Sequence, residues 1–221
     1  MKPLLVLASN SPRRRELLAL GGWEFSVLPA EVDESQQPGE APGAYVLRLA
    51  ESKARKCSST AHPDMTILAA DTAVADGGEI LGKPVDRTEA REMLRRLCGH
   101  KHQVYTGLAV IRMSDGNLQT DLCVTAVPMR AYLEEEIEAY VATGDPLDKA
   151  GAYAIQHPGF HPVEGLRGCY ASVMGLPLCH LTRTLRQVGI SPKSDIPRGC
   201  QTSLKYTCPI SSAVLRGERV G

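Results

Sequence analysis

The chain has 221 residues with 25 basic and 25 acidic side chains, enough for one sizeable α/β domain or two tightly fused lobes. No apolar run approaches the roughly 20 residues of a membrane helix, and no basic excess points to a protein held on nucleic acid by phosphate contacts. The start lacks a secretory pattern and the seven cysteines form no CxxC pair, so reduced thiols and a cytoplasmic location are expected.

Leu4–Ala8 reads as a short buried strand, and Arg13–Leu20 as a helix stopped by Gly21-Gly22. Between them lies Ser9-Asn10-Ser11-Pro12. Pro12 suits the first helical turn, where an N–H has no partner, and Ser11 can cap the free amides. A helix start followed by arginines suits a phosphate; a capped helix with a solvated arginine face is the alternative. Successive helical residues point about 100° apart. Arg13, Arg14 and Arg15 therefore cannot all reach one ligand, and the first two lie closest to the helix start.

Phe25–Leu28 is a second strand, residues 31–43 form an acidic loop, and Ala44–Lys56 is an amphipathic helix with Tyr45, Val46, Leu49, Ala50 and Ala54 on one side. Lys53 faces either inward or into solvent. Thr66–Ala70 is a buried strand ending at Asp71-Thr72. An Asp at a strand end can hold a divalent cation, orient a water or cap a turn. Gly77-Gly78 turns a hairpin between Ala73–Ala75 and Glu79–Leu81. Lys83, in Leu81-Gly82-Lys83-Pro84, is either a point charge for phosphate or a surface lysine beside a turn.

Thr88 caps a helix running to about Cys98, and Gln103–Met113 and Leu118–Met129 flank a turn as two long strands. A helix spans Leu133–Thr143, and a glycine-rich stretch, 144–175, leads to a last helix, Leu176–Val188. Within that stretch, the small residues of Asp148-Lys149-Ala150-Gly151-Ala152-Tyr153-Ala154-Ile155-Gln156 let backbone approach a ligand closely. Gln156 can read a base edge or cap a tight turn. Early strand–helix alternation with a central hairpin predicts an α/β fold with a mixed twisted sheet flanked by helices. Ser191–Gly221 shows little periodicity and is expected to be a loose or disordered extension to a domain of residues 1–190.

The polar clusters occur in one order: Leu7-Ala8-Ser9-Asn10-Ser11-Pro12-Arg13-Arg14-Arg15-Glu16-Leu17-Leu18, Arg48-Leu49-Ala50-Glu51-Ser52-Lys53-Ala54, Ala69-Ala70-Asp71-Thr72-Ala73-Val74, Leu81-Gly82-Lys83-Pro84, His102-Gln103-Val104-Tyr105-Thr106-Gly107, the 148–156 block, and Val173-Met174-Gly175-Leu176-Pro177-Leu178. In that order they resemble the Maf nucleotide pyrophosphatases. The resemblance implies a deep nucleotide-binding cleft and cleavage of a nucleoside triphosphate to the monophosphate and pyrophosphate. It also implies dependence on Mg²⁺ or Mn²⁺, and frequent dimers.

It places the catalytic aspartate at Asp71, an acidic metal partner at Glu34, and substrate-binding positions at Ser9, Arg13, Arg14, Lys53 and Lys83. Three positions distinguish branches of the family. Arg13, Thr72 and Gln156 resemble the branch acting on dTTP and UTP. A branch directed at 7-methyl-GTP carries an aromatic residue, Gln and Glu there. The older septum-inhibitor name implies a non-enzymatic regulator of cell division or a nucleic-acid-binding module as the competing class. Ala154 departs from the pattern, where glycine is usual, and matters only if the backbone there is left-handed.

Overall fold

The computed structural model describes residues 4–221. Six strands, β1 (Leu4–Leu7), β2 (Phe25–Val27), β3 (Met65–Asp76), β4 (Glu79–Leu81), β5 (Lys101–Arg112) and β6 (Asn117–Pro128), form one sheet. Its order is β2-β1-β3-β5-β6, with β4 also paired to β3. The helices are α1 (Pro12–Ala19), α2 (Pro42–Ser58), α3 (Arg87–Leu97), α4 (Glu134–Ala142), α5 (Tyr170–Val173), α6 (Leu178–Gln187), α7 (Ile196–Leu204) and α8 (Ser211–Leu215).

The first half obeys the crossover rule: β1 runs parallel to both β2 and β3, and the helices α1 and α2 make the connections. The second half is an antiparallel ladder, β3–β5–β6. Strand β3 is buried along most of its length because both faces are covered. Ile67 and Ala69 face a cluster with Ala50 and Ala54 of α2, while Leu68 and Ala70 face α1 and α6. A third cluster joins α3, α4 and the 152–160 segment to the far ends of β3 and β5.

Two features open a cleft. Strand β1 pairs with β3 only through Leu68, and β4 pairs with it only from Val74 onward, so the β3 edge between them faces no strand in this register. Gly107 of β5 lies under the α2 backbone. A Cβ there would come within 2.7 Å of the Val46 carbonyl, so glycine lets α2 settle onto the sheet beside that gap.

Three expectations need correction. Asp71 is not at a strand end: β3 runs through it, paired Asp71↔Gly107 and Thr72↔Thr106. The unbroken partner strand carries the backbone bonds through this polar dipeptide. The cap of α3 is Asp86, whose carboxylate accepts from the Thr88 and Glu89 amides at 2.8 and 2.9 Å; a carboxylate on a fixed backbone outdoes the later threonine.

The third concerns residues 191–221, which form α7 and α8 rather than a loose extension. Ile196 and Val214 are buried against α6, with Cys200, Leu204 and Ile210 partly buried beside them. Ile196, Cys200 and Leu204 recur every four residues, which is one face of a helix. Side chain to backbone bonds hold the extension further: His180 Nε2 of α6 lies 3.0 Å from Val220 O, and Tyr206 Oη donates to Gly168 O at 2.9 Å.

Candidate active site

The open edge of β3 forms the floor of a cavity of about 780 Å³. Ser9, Arg13, Arg14, Glu34, Lys53, Asp71, Thr72, Lys83 and Gln156 all line it, and Arg15 does not. Five separate chain segments therefore meet over two strand residues.

The first wall is the β1–α1 turn. The Ser11 hydroxyl caps α1 by accepting from the Arg14 amide at 3.4 Å, and Ser9 Oγ accepts from the Ser11 amide at 3.2 Å. Arg14 is clamped by three acceptors. Its Nε donates to Gly175 O at 2.9 Å, Nη2 to Thr72 Oγ1 at 3.2 Å, and Nη1 to Ser9 Oγ at 3.4 Å. Burial lowers the Arg14 pKa, and the Asp71 charge works against that shift; a guanidinium stays protonated under such opposition. Arg13 and Lys83 have no hydrogen-bond or ion-pair partner among the described residues, and both reach the cavity.

The second wall joins α2, β3 and the acidic loop. Lys53 Nζ lies 2.6 Å from Asp71 Oδ1 and 2.7 Å from Glu34 Oε1. Lys53 and Asp71 are both buried, so each neutralises a charge that would be costly alone. Burial raises the Glu34 pKa, but Lys53, then Lys83 and Arg14, bring it below the usual carboxylate value.

The sequence periodicity puts Tyr45 on the apolar side of α2. Its ring instead borders the cavity, and its hydroxyl donates to Glu34 O at 2.9 Å. Arg48 donates to Ser35 O at 3.0 Å and holds Glu40 at 2.6 Å, so α2 pins the loop at three points. Tyrosine at a helical core position is the signal that could have raised this: its polar end seeks a partner at the rim.

The third wall is the 148–156 segment. Gly151 has φ +68° and sits against Val74, where a Cβ would come within 2.8 Å of a methyl group; its amide donates to Gly82 O at 3.0 Å. Tyr140 Oη donates to Asp145 at 2.7 Å and accepts from the Ala154 amide at 2.9 Å. Buried Lys149 is held by Asp145 and Asp148 at 2.9 and 2.6 Å. The left-handed non-glycine residue here is Ala152, φ +60°, and not Ala154, so alanine at 154 fits without strain.

This arrangement can bind a polyanion. Arg13, Arg14 and Lys83 converge from two sides, with Arg14 fixed in advance. No group of three or more His, Cys, Asp or Glu suited to a metal occurs among the described residues. Glu34 and Asp71 still offer two carboxylates at one spot. That donor set fits Mg²⁺, which takes one or two carboxylates and fills its other positions with phosphate and water.

A family model described as Maf-like protein matches residues 4–188. The chain belongs to the Maf family. Among its Maf relatives, the dTTP/UTP pyrophosphatase of Anaeromyxobacter dehalogenans is 50% identical over 191 residues, covering 86% of this chain and 96% of the relative. The protein of the same name from Geobacter sulfurreducens is 47% identical, covering 85% and 98%. That from Myxococcus xanthus is 49% identical, covering 85% and 93%. Residues 191–221, and with them α7 and α8, lie beyond the part that the Maf model matches. No helix among the described residues is long and apolar enough to cross a membrane.

Proposed function

We propose that the protein hydrolyses dTTP and UTP between the α and β phosphates, giving the nucleoside monophosphate and pyrophosphate. The observation that carries this reading is the single cavity where Arg13, Arg14 and Lys83 face the paired carboxylates Glu34 and Asp71. The names of relatives near 50% identity support the substrate class.

Phosphoryl transfer is catalysed mainly by positioning and by stabilising charge. Arg14, clamped before substrate arrives, orients the phosphate chain, and Arg13 and Lys83 close on it as free cations. Lys53 holds Asp71 and Glu34 in place through one ammonium. Asp71 has one oxygen on Lys53; the other either takes the proton of the attacking water or joins Glu34 in holding a divalent cation. Mg²⁺ or Mn²⁺ held there would neutralise phosphate charge. Arg13, Thr72 and Gln156 select the pyrimidine nucleotides over 7-methyl-GTP, in which a cationic base would call for an aromatic ring and a carboxylate. The reaction clears unwanted nucleotides from a cytoplasmic pool.

The test is pyrophosphate release from dTTP, UTP, CTP, dATP and 7-methyl-GTP with Mg²⁺, for the wild type and Asp71→Asn. Expected are fastest turnover of dTTP and UTP and loss of most activity in the variant. Fastest turnover of 7-methyl-GTP would reverse the substrate assignment. No pyrophosphate from any of them would end the enzymatic reading.

A further inference from the structure

Thr106 is fully buried on β5 and does not line the cavity. It stands opposite Thr72 in the β3–β5 register, and their hydroxyl oxygens are 3.0 Å apart. Thr106 Oγ1 also lies 2.9 Å from the Ser172 carbonyl. The second contact settles the first. A carbonyl only accepts, and a threonine hydroxyl has one proton. Thr106 gives that proton to Ser172, so Thr72 must donate to Thr106. Thr72 then meets Arg14 Nη2, a donor at 3.2 Å, with its lone pairs. The bonds run in one direction, Arg14 to Thr72 to Thr106 to Ser172, and each hydroxyl donates once and accepts once.

We infer that Thr106 is a positioning residue for the phosphate-binding site, acting through Thr72 on the orientation of Arg14. This inference rests on the proposed triphosphate reading and deepens it. With its proton committed to Thr106, Thr72 cannot donate to a nucleotide and serves as an acceptor that fixes Arg14. The short stretch Ser172–Gly175 anchors both ends of this device. Ser172 O ends the hydroxyl relay, and Gly175 O accepts from Arg14 Nε at 2.9 Å. Gly175 has φ +107°, and a Cβ there would lie 3.3 Å from Arg14 Nε, so the turn closes against the guanidinium.

Removing the Thr106 hydroxyl frees the Thr72 proton. The Thr72 hydroxyl is then free to rotate, and its lone pairs are no longer fixed toward Arg14 Nη2. Because Arg14 would bind phosphates common to all substrates, the loss falls on binding and falls equally on dTTP and UTP. Chemistry at the anhydride, which runs through Asp71, is touched less.

The experiment compares Thr106→Val, Thr106→Ser, Thr72→Val and the double Val variant by steady-state pyrophosphate release and thermal melting. Thr106→Val is expected to raise KM about tenfold for both dTTP and UTP, with kcat within about threefold of wild type. Thr106→Ser keeps the hydroxyl and should restore wild-type KM. In the Thr72→Val background the relay is already cut, so Thr106→Val should add nothing further. Wild-type KM in Thr106→Val, failed rescue by serine, or full additivity in the double variant would overturn the inference. If Thr106→Val does not fold, Thr72→Val against Thr72→Ser reads the same relay from its other end, and equal KM values there would overturn it. A wild-type protein that releases no pyrophosphate counts instead against the proposed function.

Discussion

Lys53 Nζ bonds Asp71 Oδ1 at 2.6 Å and Glu34 Oε1 at 2.7 Å, so one ammonium ties helix α2, strand β3 and the acidic loop together. Lys53→Met would leave two carboxylates without the ammonium that bonds them both. We expect kcat/KM to fall about 100-fold or more, the loss typical of a removed electrostatic group in an active site. The melting temperature should fall too, because buried Asp71 loses its ion-pair partner. Adding Glu34→Gln should return part of the melting temperature and none of the activity. Pyrophosphate release and thermal melts on the single and double variants check this.

The arginine triplet makes a second, sharply divided prediction. Arg14 has three internal acceptors and lines the cavity, while Arg15 is exposed and lies outside it. Arg15→Ala should leave kcat/KM within about twofold of wild type, as exposed substitutions do. Arg14→Ala should lower it about 100-fold. Equal losses in the two variants would mean that the helix start, and not the Arg14 clamp, binds the phosphates.

Much of this site was legible because its residues sit in local motifs. Ser9, Arg13 and Arg14 follow from a strand, a capping serine and Pro12 at a helix start. Lys53, Asp71 and Lys83 stand out as charged residues within or beside apolar segments, and the resemblance to the Maf family is what singles them out for the site. Thr106 and Tyr45 were not legible, because their roles depend on partners far away in the chain: the Thr72↔Thr106 register and the return of the acidic loop over α2. The full length of β3 is hidden in the sequence for a related reason. Asp71-Thr72 looks like a strand end locally, yet strand β5 pairs across it and Lys53 offsets its charge. In the last 31 residues, proline, glycine and serine masked a helical stripe of only three apolar residues.

His102 gives a pH prediction. It is buried, its Nε2 lies 2.8 Å from Tyr153 Oη, and its Nδ1 has no partner. Burial pushes its pKa down to about 4, against an ordinary 6.5. Between those values the unfolded chain binds the proton and the folded chain refuses it. Stability is therefore highest above 6.5 and falls as pH drops toward 4. From this residue alone the loss between pH 7 and pH 4.5 should be about 2–3 kcal/mol. His102→Gln keeps hydrogen-bonding capacity but cannot titrate, so its unfolding free energy should lose about that much less over the same range. Urea melts at the two pH values measure it.

The C-terminal helices offer the last prediction, and it separates two pictures of residues 191–221. Val214 is fully buried and Ile196 nearly so, both in the cluster that holds Leu181 and Leu185 of α6. A tail only loosely attached would tolerate any substitution there. Val214→Ala should instead cost about 2 kcal/mol in unfolding free energy, while Thr202→Ala, on the exposed side of α7, should cost nothing measurable. No residue after Gly175 lines the cavity, so kcat/KM of both variants should stay within about twofold of wild type. Deleting 191–221 should uncover the apolar face of α6 and lower the melting temperature and solubility first. Any fraction that stays folded should still release pyrophosphate. Val214→Ala with wild-type stability would mean that α7 and α8 do not hold to α6 in solution.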